Sequence, residues 1–452
     1  MSPMTGKGGE KRVLGRSLGS VSLTSIVVAN MIGAGIFTTS GLLITQLAHP
    51  ILMLALWMLG GILALFGALS YSELGATFPE AGGEYTFLSR IFSPLAGFLS
   101  GWVSFIVGFS APVAASALAF SEYLMRAVPG TFRVDLQGLA MKAIAVGIIL
   151  LFTLLHSLGM RSGAKVQNIL TLVKVLLITG LLLTGFLFGA GSTEHFTMQL
   201  EGAGEGLRFQ SAGWAMVLIM FSFSGWNAST YVGSEVRSPL RNIPRSLVAG
   251  TLLVTILYLL LNTLYIYALR PSEMSDVIAV GGLTANRLFN LTLDKFFSLF
   301  IAVILLSSIS AYTIIGPRVY YAMSESGHFF RLARKVNRFQ VPALSIMLQS
   351  LLAILFAVTG TFDQILTLLG FSLGIFPILS VMGVFRLRIR GESALPLKGY
   401  PYIQIVFILL SALILVLTFL ERPAESSIAL LVIAAGLPVY RLLKKFRSSC
   451  LP

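Results

Sequence analysis

Few residues in this chain have types and spacing suited to chemistry, and the first of them are glycines. Ile32-Gly33-Ala34-Gly35-Ile36-Phe37 lies at the middle of an uncharged run spanning residues 18–45. As straight helix that run would reach about 43 Å, well beyond a hydrocarbon core about 30 Å thick. A glycine inside a helix costs about 1 kcal/mol relative to alanine, so Gly-x-Gly marks either a place where the helix unwinds or a close contact between helices. A second candidate is Phe221-Ser222-Phe223-Ser224-Gly225-Trp226-Asn227-Ala228-Ser229-Thr230, a glycine among small polar residues in another apolar run. Unwound backbone inside a membrane is tolerated only where it lines a cavity or binds something. Where a broken helix resumes, its first amides are unpaired and its dipole is positive, which suits a carboxylate. Where the first half stops, unpaired carbonyls suit an ammonium. A zwitterionic amino acid satisfies both ends with backbone atoms alone, and neither break contains an acidic residue that would single out a cationic substrate.

The other residue of this kind is Lys174. Nine positions after Lys165, it sits about 13 Å into the run 166–190, near half the hydrocarbon thickness. An intramembrane lysine points to function because burying it charged costs several kcal/mol unless a partner relieves it. The alternative is a lysine whose stem reaches back to the interface. His49 and His156 lie at span ends and read as interfacial. Glu73 and Glu122 read as loop or gate groups, and Ser307, Ser308 and Ser310 as helix packing. No Cys/His cluster suggests a metal, no cofactor is expected, and nothing resembles an enzyme site.

These residues must be positioned by membrane-spanning helices. Of 452 residues, 56% are apolar and only 11% charged, less than half the charge of a typical soluble domain. Uncharged runs fall near 18–45, 50–70, 94–121, 138–156, 166–190, 211–234, 246–268, 296–317, 342–360, 364–385, 401–420 and 427–440, which predicts twelve spans. A soluble multidomain enzyme, a disordered chain and a disulfide scaffold are excluded, the last because the sole cysteine is Cys450. The Pro79 to Glu84 stretch, with Gly82 and Gly83, breaks any helix and is expected to lie along the inner face. No removable signal peptide is read at the N-terminus.

The net charge of +14 resolves into topology. With the N-terminus in the cytoplasm, 23 Lys/Arg fall on the inner side and 8 on the outer, the positive-inside pattern. Anionic lipid, not nucleic acid, is the expected partner of this charge. Both termini are then cytoplasmic and the protein a multi-pass protein of the plasma (inner) membrane.

The interrupted spans are the first and the sixth. Breaks at matching positions of two halves point to the site of an inverted-repeat transporter, and an odd-numbered repeat of five must be inverted in the membrane. A channel has no need of such a pair. The corresponding units are 18–190 and 211–390, followed by spans 11 and 12 over 400–440, with cytoplasmic tails 1–17 and 441–452.

Five segments in order resemble the amino acid–polyamine–organocation superfamily, most closely its L-type exchangers and bacterial relatives. They are Ile32 to Phe37; Tyr71-Ser72-Glu73-Leu74-Gly75 with Gly82-Gly83-Glu84-Tyr85; Phe221 to Asn227; Ser234 to Arg245; and Arg318-Val319-Tyr320-Tyr321-Ala322-Met323. The resemblance covers about residues 18–400. It implies a leucine-transporter-like core of five plus five helices, with helices 1 and 6 discontinuous and two helices added, working by alternating access. By position it assigns the amides of Gly33, Ala34 and Gly35 to the substrate carboxylate and the carbonyls of Met31, Phe221 and Ser224 to the ammonium. The Phe221 ring resembles a lid, with Trp226 and Asn227 beside it as gate or pocket residues. Lys174 is similar to a span 5 lysine that replaces sodium in sodium-independent members, touching the span 1 break and span 8 hydroxyls; a fixed cation there implies sodium independence and a titratable one proton coupling, so Lys174 is the expected coupling residue.

The expectation is a sodium-independent amino-acid transporter favouring small or neutral side chains, with proton-coupled symport placed ahead of exchange. A cationic amino-acid or polyamine carrier, and a transporter-like nutrient sensor, rank lower. Trp102, Ser104, Phe105 and Ser110 are the span 3 candidates for the side-chain pocket. Mammalian L-type exchangers join a heavy chain through a cysteine after span 3. The loop from Met125 to Gln137 has none, so no disulfide-linked heavy chain is expected.

Overall fold

The computed structural model describes residues 14–128, 136–200, 209–277, 280–289, 294–360 and 362–449. Cys450 and part of the loop after span 3 lie outside them, as do residues 1–13 of the N-terminal tail. Span 1 comprises Ser20–Met31 and Gly35–Leu47, span 2 Pro50–Thr77, span 4 Gln137–Ser157 and span 5 Met160–Phe188. Span 3 runs from Pro94–Val103 to Ser110–Ala127 through a π-helical turn at Ser104–Gly108. The first half of span 6 is Phe209–Phe223, and spans 7 and 8 are Pro239–Ala268 and Asp294–Glu325. Ala343–Thr359, Phe362–Ile389, Tyr402–Glu421 and Pro423–Ser449 complete the set. Among the described residues nine helices are long and apolar enough to cross a membrane, with Ala212–Phe223 and Ala343–Thr359 shorter. The protein is an all-α polytopic membrane protein.

Several helices overrun their apolar runs. Span 7 begins at Pro239 and carries Arg241 and Arg245, and span 8 continues through Pro317 and Arg318 to Glu325. A charged residue ends the lipid-compatible stretch without ending the hydrogen-bond ladder, so charge spacing places the membrane edge better than the helix end. Burial sorts the spans by position: 83% of the apolar window is buried in spans 3 and 8, against 22% and 17% in spans 4 and 12. Spans 3 and 8 are therefore central, whereas Leu154 and Leu431 on spans 4 and 12 face outward.

The side of the molecule rich in Lys and Arg is tied by two buried ion pairs. Arg318 Nε lies 2.9 Å from Glu235 Oε1, both side chains about 1% exposed, and the Glu235 carbonyl accepts the Ser17 and Leu18 amides at 2.9 Å. Arg388 bonds Glu73 through two nitrogens at 2.7 and 2.6 Å, and Ser393 donates to the same carboxylate. Glu73 thus joins the ends of spans 2 and 10. Glu122 instead pairs on the surface with Arg126 one helical turn away.

Two expectations are corrected here. The segment after span 2 does not lie along a face: Gly82 and Gly83 take φ of +106° and +52°, and the helix Glu84–Ile91 turns inward, burying Glu84 to Leu88. The left-handed turn lets the Gly82 amide donate to the Tyr231 carbonyl at 3.1 Å, which anchors the segment against span 6. A Cβ on Gly83 would fall 2.6 Å from the Tyr231 ring. His156 is likewise not interfacial. It is 3% exposed and its Nε2 lies 2.9 Å from Ser310 Oγ, because the end of span 4 inserts against span 8.

Candidate functional site

Both glycine-bearing runs break, and the breaks meet. The first half of span 1 stops at Met31 and helix resumes at Gly35, and the first half of span 6 stops at Phe223 before short 3-10 turns at Ala228–Tyr231 and Gly233–Glu235. Close approach explains the glycines. A Cβ on Gly35 would lie 2.5 Å from Ser222 Oγ, and one on Gly225, whose φ is +102°, would lie 2.5 Å from the Asn30 Cβ. Gly33 differs, since its nearest neighbour would be Ser308 Oγ at 3.9 Å. Neither a close contact nor a positive φ requires glycine at that position in this structure.

Freed carbonyls of span 1 are taken up by side chains of other spans. The Tyr258 hydroxyl of span 7 lies 2.6 Å from Met31 O and 2.8 Å from Ser222 O, its single proton shared between the two carbonyls, and so stitches the two breaks together. Tyr312 of span 8 donates to Asn30 O at 3.0 Å. The amides of Ala34, Gly35 and Ile36 open the resumed helix, where no intrahelical partner exists, and so form a positive pole.

Lys174 reaches this region from span 5. Its Nζ donates to Ile32 O, to Ser308 Oγ at 3.0 Å and to Ala29 O at 3.3 Å, and Ser308 itself donates to Ile32 O at 2.8 Å. The side chain is fully buried. Three oxygen acceptors match the three N–H bonds of an ammonium, and among the described residues no carboxylate lies in ion-pair range of it. The lysine holds the broken end of span 1 against span 8.

An apolar cavity of about 110 Å³ opens beside the span 6 break. Phe221, Ser224, Trp226 and Asn227 all line it, together with Gly225 and Tyr312. Among the described residues its wall includes none of Met31, Gly33, Ala34 and Gly35. The Met31 carbonyl already accepts the Tyr258 hydroxyl and the Gly33 amide, and the Phe221 carbonyl accepts the Ser224 amide at 2.9 Å. Of the span 3 candidates only Ser104 reaches the cavity. Trp102 donates to Val432 O at 2.9 Å, Phe105 packs edge-on against Tyr320, and the Ser110 hydroxyl caps the π-helical turn by donating to Phe105 O.

Glu84 is the residue that sequence reading missed. It lines the cavity, is 7% exposed, and its Oε1 accepts the Tyr71 hydroxyl and the Asn227 amide nitrogen, both at 2.8 Å. Tyr231 also hydrogen-bonds the carboxyl. Burial pushes this group up from 4.5 to about 7, against those three hydrogen bonds, which pull it down. The available signals were its place in the Gly82-Gly83-Glu84-Tyr85 segment and the glycine pair itself, which marks a turn able to return the chain inward. Among the described residues no group of three His, Cys, Asp or Glu is placed to hold a metal.

The breaks, the buried lysine and the cavity are features of a carrier for a small polar solute, and sequence comparison gives the same class. Residues 18–439 match the model of the amino acid permease family. The chain belongs to that family. It is 29% identical over 440 residues to the b(0,+)-type amino acid transporter 1 of Mus musculus, covering 95% of this chain and 88% of the relative. It is 27% identical over 446 residues to the large neutral amino acids transporter small subunit 2 of Homo sapiens, covering 98% and 83%. This permease is therefore an amino acid transporter of the membrane, and not an enzyme.

Proposed function

We propose that this permease is a sodium-independent secondary transporter of neutral amino acids, working by alternating access in the plasma membrane with both termini cytoplasmic. The observation that carries it is the Lys174 ammonium. It occupies the space between the span 1 break and the Ser308 hydroxyl with oxygen acceptors alone, the coordination that a bound metal cation would otherwise need. A positive charge supplied by the chain itself removes the need for one from solution.

In this reading the substrate carboxylate meets the amides of Gly33, Ala34 and Gly35, and the ammonium meets the carbonyl ends at Met31, Phe221 and Ser224. Because Met31 O is held by Tyr258 in this structure, substrate entry requires that hydroxyl to yield or to share the carbonyl. The side chain extends toward Val103, Val217, Ile414 and Leu415 of the cavity wall. That apolar surface favours a neutral side chain, and the human relative is named for large neutral amino acids. With Cys450 the sole cysteine, the chain works without a disulfide-linked partner.

Lys174 acts as a fixed cation, and coupling is to protons. Exchange is the second reading, favoured by the resemblance to L-type exchangers.

The test is uptake of a panel of amino acids by purified protein in liposomes, with sodium replaced by choline. Uptake of neutral amino acids unaffected by sodium is expected, and the matching decarboxylated amines should be refused. No uptake of any amino acid, under a pH gradient or by counterflow, would end the proposal. A strict need for amino acid on the far side would assign exchange.

A further inference from the structure

We propose that Glu84 is the proton-binding group of this permease and that Asn227 carries its protonation state to the break in span 6. The inference rests on the proton-linked reading above and names the site that such coupling requires.

Position comes first. Glu84 stands at the start of a buried helix with its carboxyl in the wall of the cavity, and the next two residues, Tyr85 and Thr86, line a separate cleft of about 510 Å³ on the Lys/Arg-rich side. Residues adjacent along one short helix thus border both the cavity and a cleft walled by Arg16, Glu80, Arg90 and Glu325.

The surroundings make the carboxyl free to titrate. Span 2 faces it with Tyr71, and Glu73 on the same span is bound to Arg388 of span 10. Span 6 presents Asn227 and Tyr231, with Glu235 locked to Arg318. Span 8 contributes Tyr312 at the cavity and Tyr321 and Glu325 at the cleft, with Tyr320 turned toward Gln349. Span 10 brings Ser380 to Tyr71, while its Arg386 stacks on Phe92. On the carboxyl's own helix, Arg90 pairs with Glu80 at 2.8 Å, and Tyr85 bonds His328 Nδ1 at 2.9 Å. The first half of span 3 brings no titratable group. Among the described residues no lysine or arginine forms an ion pair with Glu84, so no fixed cation holds the carboxyl charged. Burial then places its titration near neutral pH, at about 7.

Readout follows from hydrogen-bond chemistry. As a carboxylate Glu84 only accepts, and the Asn227 amide nitrogen donates to it. Protonated, it gains an O–H on one oxygen while the other still accepts, so the bond from Asn227 changes from a charge-assisted one to a weaker neutral one, and the new donor must be met by a neighbour that can accept. Asn227 also donates to the Tyr231 hydroxyl at 3.1 Å and immediately follows Gly225-Trp226 of the break. One proton moving between solvent and Glu84 thus alters the hydrogen bonds that set the conformation of span 6 where it borders the substrate.

The experiment measures uptake by the full chain in liposomes across neutral pH. Wild type should show an uptake rate with an inflection near pH 7. Glu84→Gln should flatten that profile, bringing the acid-to-alkaline rate ratio close to one, while Glu84→Asp keeps an inflection. Tyr71→Phe removes a donor that favours the charged form, so its inflection should move to higher pH. Wild-type uptake with an unchanged pH profile in Glu84→Gln would overturn this inference while leaving the transport reading intact. Absence of uptake in wild type would instead sink that reading. If Glu84→Gln does not fold, infrared titration of wild type and Tyr71→Phe decides. A protonated-carboxyl band that titrates near neutrality and shifts upward in the variant supports the inference, and absence of such a band overturns it.

Discussion

Lys174 and Glu84 are both buried, both ionisable and both without an opposite charge among the described residues, yet their settings differ in kind. Lys174 is met by backbone carbonyls and one hydroxyl, whereas Glu84 is met by a phenol, an amide and a second phenol. Carbonyls can only accept, and the Ser308 hydroxyl gives its proton to Ile32 O, so the lysine's partners have one arrangement. Hydroxyls and amides can donate or accept, so the carboxyl's partners can reverse direction. The first site suits a constant charge that fastens broken backbone, and the second suits a charge that changes. The ion pairs Arg318–Glu235 and Arg388–Glu73 form a third setting, in which opposite charges cancel and the element ends are clamped.

The largest expected effect bears on the constant charge. Lys174→Ala removes a charged donor from Ile32 O and Ala29 O; at about 1.5–3 kcal/mol for each such hydrogen bond, uptake should fall about 100-fold or more. Initial rates in liposomes measure this, and near-normal uptake by the variant would erase the distinction drawn for Lys174. The clamps come next. Arg318→Ala strands Glu235 in a buried site and should destabilise the protein by about 3–5 kcal/mol in detergent thermal unfolding, while Arg318→Met combined with Glu235→Gln should cost less.

For the changeable charge the sign is fixed by the direction of the shift. Glu84 is raised in the folded protein from 4.5 to about 7, so the folded state holds its proton more tightly. The stability this contributes, up to about 3 kcal/mol, is complete below about pH 4.5 and lost as pH rises through about 7. Thermal unfolding of wild type should therefore weaken from acid to alkaline pH more steeply than that of Glu84→Gln. Parallel slopes would show that Glu84 does not titrate in that window.

The smallest effects separate the two breaks. Gly225→Ala forces a side chain into Asn30 at a positive φ and should cost about 1–3 kcal/mol. Gly33→Ala meets nothing closer than 3.9 Å and should change stability by about 0.5 kcal/mol or less. Unfolding midpoints of the two variants check the contrast. Equal losses would show that Gly33 is also a packing glycine.

Much of this was readable in advance. Charge-free runs located the helices, and Gly33, Gly35 and Gly225 marked both breaks. Lys174 stood out because a lone charge in an apolar run has a cost wherever that run ends up. Glu84 and the burial of His156 were not readable. Glu84 sits in a segment with Glu80 and Arg90, where charge is ordinary, and only the turn at Gly82-Gly83 carries it back into the buried core. Likewise, the Tyr258 stitch between the breaks joins residues 31 and 222 through residue 258, a separation over which sequence pattern says nothing.

By itself the sequence determined that this chain crosses a membrane repeatedly, where its first and sixth spans fail, and that one cation lies inside the fifth. These follow from transfer costs of single residues and from the backbone limits of glycine, which act wherever the residue is. Only the tertiary structure decided which carbonyls Lys174 holds, which faces line the cavity, and that a carboxyl from a connecting segment joins it. Those depend on which groups are desolvated together, and desolvation is set by neighbours that packing brings close from distant parts of the chain.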